Sequence, residues 1–249
     1  MTADTTRIAL VRHGQSQANT DGLFTGITDS PLTSRGREEA RRAARLLDEA
    51  GFHPASILCS PLARATETAR IMVAENRWSE PLTVDVRLRE RDYGDLTGRT
   101  KADVRRSAGE EDFTLWRRSL DTPPPPSSDA LFAKLWAQDA LRHVEPSNRT
   151  RAESLLDVIA RVRPIADAVG AGAAGGTVLV VGHGNSLRAL CLLLDALTPL
   201  EVAALNIPTG HPLIYDLASD GRPLTRGGTY LDPAAAALAA AVITHEGGT

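Results

Sequence analysis

Lysine is almost absent from this sequence: only Lys101 and Lys134 are lysines among its 28 basic residues. Arginine does not make the chain basic, because 31 acidic residues leave a formal net charge of −3. That balance gives no sign of a nucleic-acid or anionic-membrane partner. Genome composition alone can favour arginine over lysine, so the placement of the arginines is informative and their number is not.

Cysteine and long apolar runs are scarce as well. Cys59 and Cys191 are the two cysteines, each in an apolar segment, and we interpret both as buried, reduced residues. No apolar run approaches the length of a membrane span, and "MTADTTR" at the start lacks the core of a signal peptide. We therefore expect a cytoplasmic protein. His53, His143, His211 and His245 show no metal-ligand spacing with carboxylates or cysteines, so we expect no metal site.

Apolar and amphipathic segments alternate along the chain. Strands are predicted at 8–12, 55–60, 82–90 and 211–218, and "TVLVVGHGNSLRALCLLLDAL" indicates a strand, a turn and a helix. Further helices are predicted at 34–50, 61–76 (with Pro61 in its first turn), 101–120 and 152–170, and a proline-rich loop at 121–129. This alternation favours an α/β fold of three layers, with a mostly parallel central sheet and helices on both faces.

Two histidines end predicted buried strands, and each is followed by glycine. His13 lies in "LVRHGQSQAN" and His183 in "TVLVVGHGNSLRA". Ligands of open parallel sheets bind outside the carboxyl ends of the strands. We therefore expect both histidines in one site, where the glycines let backbone N–H groups approach an anion.

Arginine accompanies this pattern. Arg12 adjoins His13, and Arg64 falls in the first turn of the helix that follows "SILCS". A guanidinium presents a planar fork of donors that matches phosphate oxygens. Two histidines and two arginines on three strand ends thus predict a phosphoryl site.

Seven segments together resemble the histidine phosphatase superfamily, and most closely its cofactor-dependent phosphoglycerate mutases. The resemblance runs in order from about residue 7 to 235 and weakens over 127–150. The segments are "LVRHGQSQAN", "FTGITDSPLTSRG", "SPLARATET", "RERDYGDLTG", "WRRSLDTPPPP", "GHGNSLRAL" and "LNIPTGHPLIYDL".

The resemblance implies a catalytic set in which His13 is the nucleophile that becomes phosphohistidine. Arg12, Arg64 and His183 would bind the transferring phosphoryl group, and Glu90 would be the general acid/base. The resemblance also implies a set that assists or binds substrate: Asn19, Thr25, Gly26, Tyr93, Lys101, Arg117, Arg118, Gly184 and Asn185. Within it, Thr25 and Gly26 would contact a carboxylate, and Lys101 and the two arginines would hold a second anionic end.

At three positions the sequence departs from many relatives. Ala18 and Ile27 stand where tryptophan is common, and Asp92 stands where histidine is usual. Asp92 could face the pocket, oppose an anionic substrate and raise the pKa of Glu90, or it could face solvent.

Three functions remain open on the sequence alone. The first is a mutase that interconverts 3- and 2-phosphoglycerate through a phosphohistidine primed by 2,3-bisphosphoglycerate. The second is a phosphohistidine-dependent phosphatase acting on another small phosphoester, and the third is a non-catalytic phospholigand-binding protein. The resemblance further implies a single domain over 1–249, a lid-like insertion at about 100–150 and a homodimer or homotetramer. We expect a flexible C-terminal tail at about 235–249.

Overall fold

The computed structural model describes residues 6–170 and 176–245. This part of the chain contains a six-stranded sheet with the order β3-β2-β4-β1-β5-β6. The strands are β1 (Thr6–Arg12), β2 (Ser56–Cys59), β3 (Leu82–Val84), β4 (Thr177–Gly182), β5 (Leu213–Leu217) and β6 (Thr229–Tyr230). Strands β1 to β4 run parallel, and β5 and β6 add an antiparallel edge. The sheet is therefore mostly parallel, as predicted.

Helices and 3₁₀ turns fill most of the connections. The helices are α1 (Gln17–Thr20), α2 (Ser34–Glu49), α3 (Ala63–Asn76), α4 (Lys101–Arg118), α5 (Asp129–Trp136), α6 (Leu155–Gly170), α7 (Gly184–Asp195), α8 (Pro199–Ala204) and α9 (Pro233–His245). The 3₁₀ turns are Val86–Leu88, Gly94–Leu96 and Pro146–Asn148.

Alternating side chains of the central strands create two separate cores. On β1, Ile8 and Leu10 pack with α6 and α7, whereas Ala9 and Val11 pack with α2 and α3. Successive side chains of a strand point to opposite faces, so each face of the sheet receives its own pair of helices. The predicted three-layer architecture is confirmed.

Two local predictions were wrong. The segment 82–90 alternates like a strand, but only Leu82–Val84 is one, and a 3₁₀ turn follows. Pro61 lies before α3 rather than in its first turn, because Leu62 is extended and the helix begins at Ala63. Glu90 consequently follows a turn and does not end a strand.

Apolar side chains of residues 131–144 belong to a cluster that is separate from the two cores of the sheet. Ile27 is fully buried there against Leu135 and Trp136 of α5, together with Leu62 and Leu141. Ile27 thus joins the loop after β1 to the segment whose role as a lid stays a prediction.

The predicted C-terminal tail is helical over Pro233–His245, and Ala236 is buried. The rest of that tail, 246–249, lies outside the described residues. Its flexibility stays a prediction.

Candidate active site

The parallel pairing of β1 with β4 brings the two histidines together. Arg12 pairs with Gly182 in the register, and the N–H of His13 donates to the Gly182 carbonyl at 3.0 Å. The next residue on each strand is a histidine, and the ring centroids of His13 and His183 lie 4.9 Å apart. The predicted meeting of these residues at one sheet edge is therefore observed.

His13 is buried in a defined protonation state. Its Nδ1 lies 2.7 Å from the Gly14 carbonyl oxygen, which only accepts, so Nδ1 carries the proton. Nε2 accepts from Nε of Arg64 at 3.2 Å. Burial, followed by the charges of Arg64 and Arg12, holds the pKa of His13 well below 6.5. His13 is thus a neutral imidazole whose Nε2 carries no proton, and this is the form that a nucleophile requires.

The two arginines are fixed by backbone carbonyls. Arg64 donates to Thr28 at 2.8 Å and to Gly26 at 2.9 Å, and Arg12 donates to Ile207 at 2.9 Å. Burial lowers the pKa of Arg64 to about 10, so this guanidinium stays charged at neutral pH. Two oriented cations therefore lie near His13: Arg64 contacts Nε2, and the charge of Arg12 acts on the same ring.

His183 is fully buried beside them. Its Nε2 lies 2.7 Å from Oγ of Ser60, a residue that directly follows β2. Burial, followed by the charge of Arg64, holds the pKa of His183 well below 6.5. His183 is thus neutral, and it adjoins Gly184, the first residue of α7.

Glu90 is held by two backbone amides. Its Oε1 accepts from the N–H groups of Arg91 at 2.7 Å and Asn185 at 3.2 Å. The Asn185 side chain donates to the hydroxyl of Tyr93 at 3.1 Å and accepts from Arg188 at 3.0 Å. These bonds join Glu90, Asn185 and Tyr93 in one oriented network.

A cavity of about 280 Å³ opens beside His13. Its lining contains nine of the predicted site residues besides His13: Arg12, Asn19, Thr25, Gly26, Glu90, Tyr93, Lys101, Arg117 and Asn185. Arg117 is buried, and its guanidinium lies 5.1 Å from the Phe113 ring centroid and 5.7 Å from that of Phe24. The cavity lining therefore includes a second pair of cations, Lys101 and Arg117 of α4, besides Arg12.

Arg118 does not line this cavity. Its guanidinium donates to the Ala203 carbonyl and to Oδ1 of Asn206, both at 2.9 Å. Both terminal nitrogens of the guanidinium thus connect α4 to the C-terminal end of α8 and the segment that follows it. The predicted substrate contact of Arg118 stays a prediction.

Asp92 faces neither the pocket nor solvent. It is fully buried, and its carboxylate accepts from the Gly94 N–H at 2.9 Å and from the Thr150 hydroxyl at 3.0 Å. Burial raises the pKa of Asp92 to about 6, with the Glu153 carboxylate adding to the rise. Asp92 therefore connects the Glu90 segment to the end of the predicted lid.

Sequence reasoning missed several residues that shape the site. Ser60 and Thr68 lie in the segment "SPLARATET", but an uncharged hydroxyl there gives no sign of a role in the site. Thr68 accepts from the N–H of Gly14 at 3.1 Å. Ala239, Val242 and Ile243 of α9 also line the cavity. Their alanine-rich segment contains no polar pattern that could have indicated this.

Among the described residues, no group of three histidine, cysteine, aspartate or glutamate side chains could hold a metal ion. None of the helices in that part of the chain is long and apolar enough to cross a bilayer.

Solved structures match this chain across most of its length. A mycobacterial glucosyl-3-phosphoglycerate phosphatase complexed with VO3 is 27% identical, with a TM-score of 0.65, over 84% of this chain and 92% of its own. An alpha-ribazole phosphatase from Shigella flexneri is 25% identical, with a TM-score of 0.65, over 90% of this chain and 96% of its own.

Two curated relatives, both named 2,3-bisphosphoglycerate-dependent phosphoglycerate mutase, are more similar in sequence. The protein from Rhodococcus jostii is 46% identical over 97% of this chain and 96% of its own length. The protein from Corynebacterium kroppenstedtii is 44% identical over 97% of this chain and 98% of its own. The family model of the histidine phosphatase superfamily (branch 1) matches residues 8–227. The chain therefore belongs to the histidine phosphatase superfamily.

Proposed function

We propose that this protein is a phosphoglycerate mutase that interconverts 3-phosphoglycerate and 2-phosphoglycerate, with His13 as the phosphorylated nucleophile. One observation carries the proposal: the unprotonated Nε2 of a neutral, buried His13 contacts the fixed guanidinium of Arg64, and Arg12 lines the same cavity as His13. The relatives that bear the mutase name, similar over nearly the whole chain, support this substrate class.

The phosphoryl group is transferred by charge stabilisation and positioning. Nε2 of His13 attacks phosphorus while the bond from phosphorus to the leaving oxygen breaks. The charge that develops on the phosphoryl oxygens is met by Arg12 and Arg64, which need no reorganisation because backbone carbonyls already hold them. In the return step the same group moves from Nε2 to a hydroxyl of the substrate.

Glu90 is the general acid/base in this proposal. Since Oε1 is occupied by two N–H groups, the proton of the substrate hydroxyl passes to Oε2, and it returns to the leaving oxygen in the reverse step. The hydrogen bonds from these two backbone N–H groups keep the Glu90 carboxylate in one orientation in the cavity lining. Glu90 thus moves a proton at a defined atom.

The far end of the substrate binds across the cavity. Arg117 and Lys101 provide cationic donors on α4, and Thr25 and Gly26, which line the same cavity, are candidates for binding the carboxylate. Two separate cationic regions suit 2,3-bisphosphoglycerate, which supplies the priming phosphoryl group when it is bound. Arg12, Arg64 and His183 would hold one of its phosphates, and Lys101 and Arg117 the other.

A phosphatase is the second candidate, and the solved structures favour it. Proteins named as phosphatases share the fold at TM-scores of about 0.65. In that reaction, water rather than a substrate hydroxyl takes the phosphoryl group from His13. The access of water to the same phosphohistidine therefore separates the two functions.

One assay distinguishes the two candidates. Purified protein receives 3-phosphoglycerate with and without catalytic 2,3-bisphosphoglycerate, and both 2-phosphoglycerate and free phosphate are followed. We expect isomerisation that depends on the bisphosphate, and its loss in His13→Ala but not in His53→Ala, which changes an exposed histidine. Phosphate release without isomerisation would instead support the phosphatase, and absence of both products across a broad phosphoester panel would contradict both.

A homodimer or homotetramer is also part of the proposal. Sedimentation velocity at micromolar concentration tests it, and a chain that sediments as a monomer would contradict it.

A further inference from the structure

Ser60 is a buried hydroxyl that the proposed reaction does not use. It directly follows β2 and is fully buried, and its backbone N–H donates to the Val181 carbonyl at 3.1 Å. Its Oγ accepts from the N–H of Leu62 at 3.3 Å and lies 2.7 Å from Nε2 of His183. The Ser60 side chain is thus positioned by hydrogen bonds and directly contacts His183.

The hydrogen atom of this hydroxyl has one available acceptor. The N–H of Leu62 donates to Oγ and so uses an acceptor position. The described residues offer the hydroxyl hydrogen no other partner than Nε2 of His183. If Nε2 of His183 carried a proton instead, the hydroxyl hydrogen of Ser60 would be buried without an acceptor, which is unfavourable. The contact therefore favours Ser60 as donor and Nε2 as acceptor.

The other nitrogen of His183 is available to a ligand. Among the described residues, buried Nδ1 of His183 has no hydrogen-bond partner, so in the Nδ1–H tautomer its hydrogen has no acceptor until a ligand binds. A neutral imidazole whose Nε2 accepts must carry its proton on Nδ1. A phosphoryl group is rich in acceptor oxygens, so it satisfies a protonated Nδ1, whereas a bare Nδ1 would repel it.

We propose that Ser60 is a positioning residue that holds His183 in the Nδ1–H tautomer, which leaves Nδ1–H to donate to the phosphoryl group during transfer. The inference rests on the proposed phosphohistidine reaction. Ser60 itself does not touch the substrate; it acts through His183. Enzymes use the same principle wherever a neighbouring group selects the tautomer of a catalytic imidazole.

The tautomer can be measured without turnover. In protein labelled with ¹⁵N-histidine, the ring nitrogens of His183 are assigned by comparison with His183→Asn. We expect a protonated Nδ1 and a bare Nε2 in the wild-type protein, and a mixture of the two tautomers in Ser60→Ala. A wild-type His183 protonated at Nε2 would overturn the proposal, whatever the variant does.

Kinetics provide the second readout, with a control on the adjoining strand. Ser56→Ala removes a hydroxyl of β2 that is buried and has no hydrogen-bond partner among the described residues. We expect Ser60→Ala to lower kcat by about tenfold or more, with KM for 3-phosphoglycerate within about threefold, because one oriented donor to the transferring group is lost. Ser56→Ala should leave both constants within about twofold.

Two kinetic results would overturn the proposal: an unchanged kcat in Ser60→Ala, or an equal loss in both variants, which would indicate packing of β2. If wild-type protein releases phosphate instead of isomerising, the same comparison is made on phosphate release. Wild-type protein with neither activity would contradict the proposed function, while the nitrogen shifts would still decide the role of Ser60.

Discussion

At the scale of single residues, burial determines which groups around His13 are charged. Burial and nearby arginines hold the pKa values of His13 and His183 well below 6.5. Arg64 is equally buried, but its lowered pKa of about 10 still leaves it protonated at neutral pH. The result is a neutral nucleophile among fixed cations, which is the combination that phosphoryl transfer to nitrogen requires.

The first prediction concerns the titration of His13. Because its pKa in the folded protein lies well below 6.5, the ring stays neutral as the pH falls through 6.5 and becomes charged only at lower pH. We expect the Cε1–H resonance of His13, followed by NMR from pH 8 to pH 5, to remain constant through pH 6.5. A titration midpoint at or above 6.5 would contradict this account of the site.

The second prediction concerns the stability cost of Asp92. The pKa of Asp92 is raised from 3.8 to about 6 in the folded protein. Above pH 6, the ionisation of this carboxyl therefore lowers the free energy of unfolding by about 3 kcal/mol. Asn in its place keeps an acceptor for the Gly94 N–H and carries no charge. We expect Asp92→Asn to raise Tm at pH 7.5.

The gain from Asp92→Asn should shrink as the pH falls toward 4, because the penalty is absent below the unfolded pKa. Calorimetry at several pH values measures it. Asp95→Asn, which changes an exposed carboxylate, serves as the control and should change stability by less than about 0.5 kcal/mol. A variant less stable than wild type at pH 7.5 would show that the ionised Asp92 is favourable.

At the scale of elements, the loop after β1 is pressed against the start of α2. A Cβ on Gly14 would lie 2.1 Å from the Gly36 carbonyl oxygen, and a Cβ on Gly36 would lie 2.1 Å from that of Gln15. Thr33 caps α2 by accepting from the Gly36 N–H at 3.0 Å, and its own N–H donates to Gln15 at 2.9 Å. Backbone contact between these two elements therefore helps to fix the position of His13.

The third prediction tests this contact. Gly36→Ala places a methyl group against backbone that cannot move without shifting the His13 loop. We expect a loss of about 1–3 kcal/mol in the free energy of unfolding, together with a lower kcat. Denaturant titration and the isomerase assay measure the two effects.

Gly170→Ala is the matched control, since a Cβ there meets no atom of the described part of the chain within 4 Å and the residue ends α6. It should be as stable as wild type or slightly more stable. If Gly36→Ala behaved like Gly170→Ala, the close packing of the loop on α2 would not constrain the site.

The elements that sequence analysis predicted well have strong periodic or apolar signals, as β1, β4 and α7 do. The segment after β3 shows why alternation alone misleads. Asp85 accepts from the N–H of Arg87 at 2.8 Å and forms an ion pair with its guanidinium. This local side-chain bond offers the backbone an alternative to a strand ladder and begins a 3₁₀ turn. The pattern of apolar residues does not contain that information.

At the scale of the whole molecule, the site is assembled from distant parts of the chain. The sequence could predict the convergence of His13, His183 and the nearby arginines, because carboxyl ends of parallel strands share one edge. It could not predict that Ser60 would meet His183, or that Arg118 would turn toward α8. Those contacts depend on side-chain directions in the packed structure, which carry no periodic signal.

The covalent state of His13 after exposure to 2,3-bisphosphoglycerate tests the central claim most directly. The protein is mixed with the bisphosphate, quenched under alkaline conditions and examined by mass spectrometry and ³¹P NMR. We predict phosphate on Nε2 of His13, one per chain, and none in His13→Ala. A protein that stays unphosphorylated, or that carries the phosphate on another residue, would contradict the account.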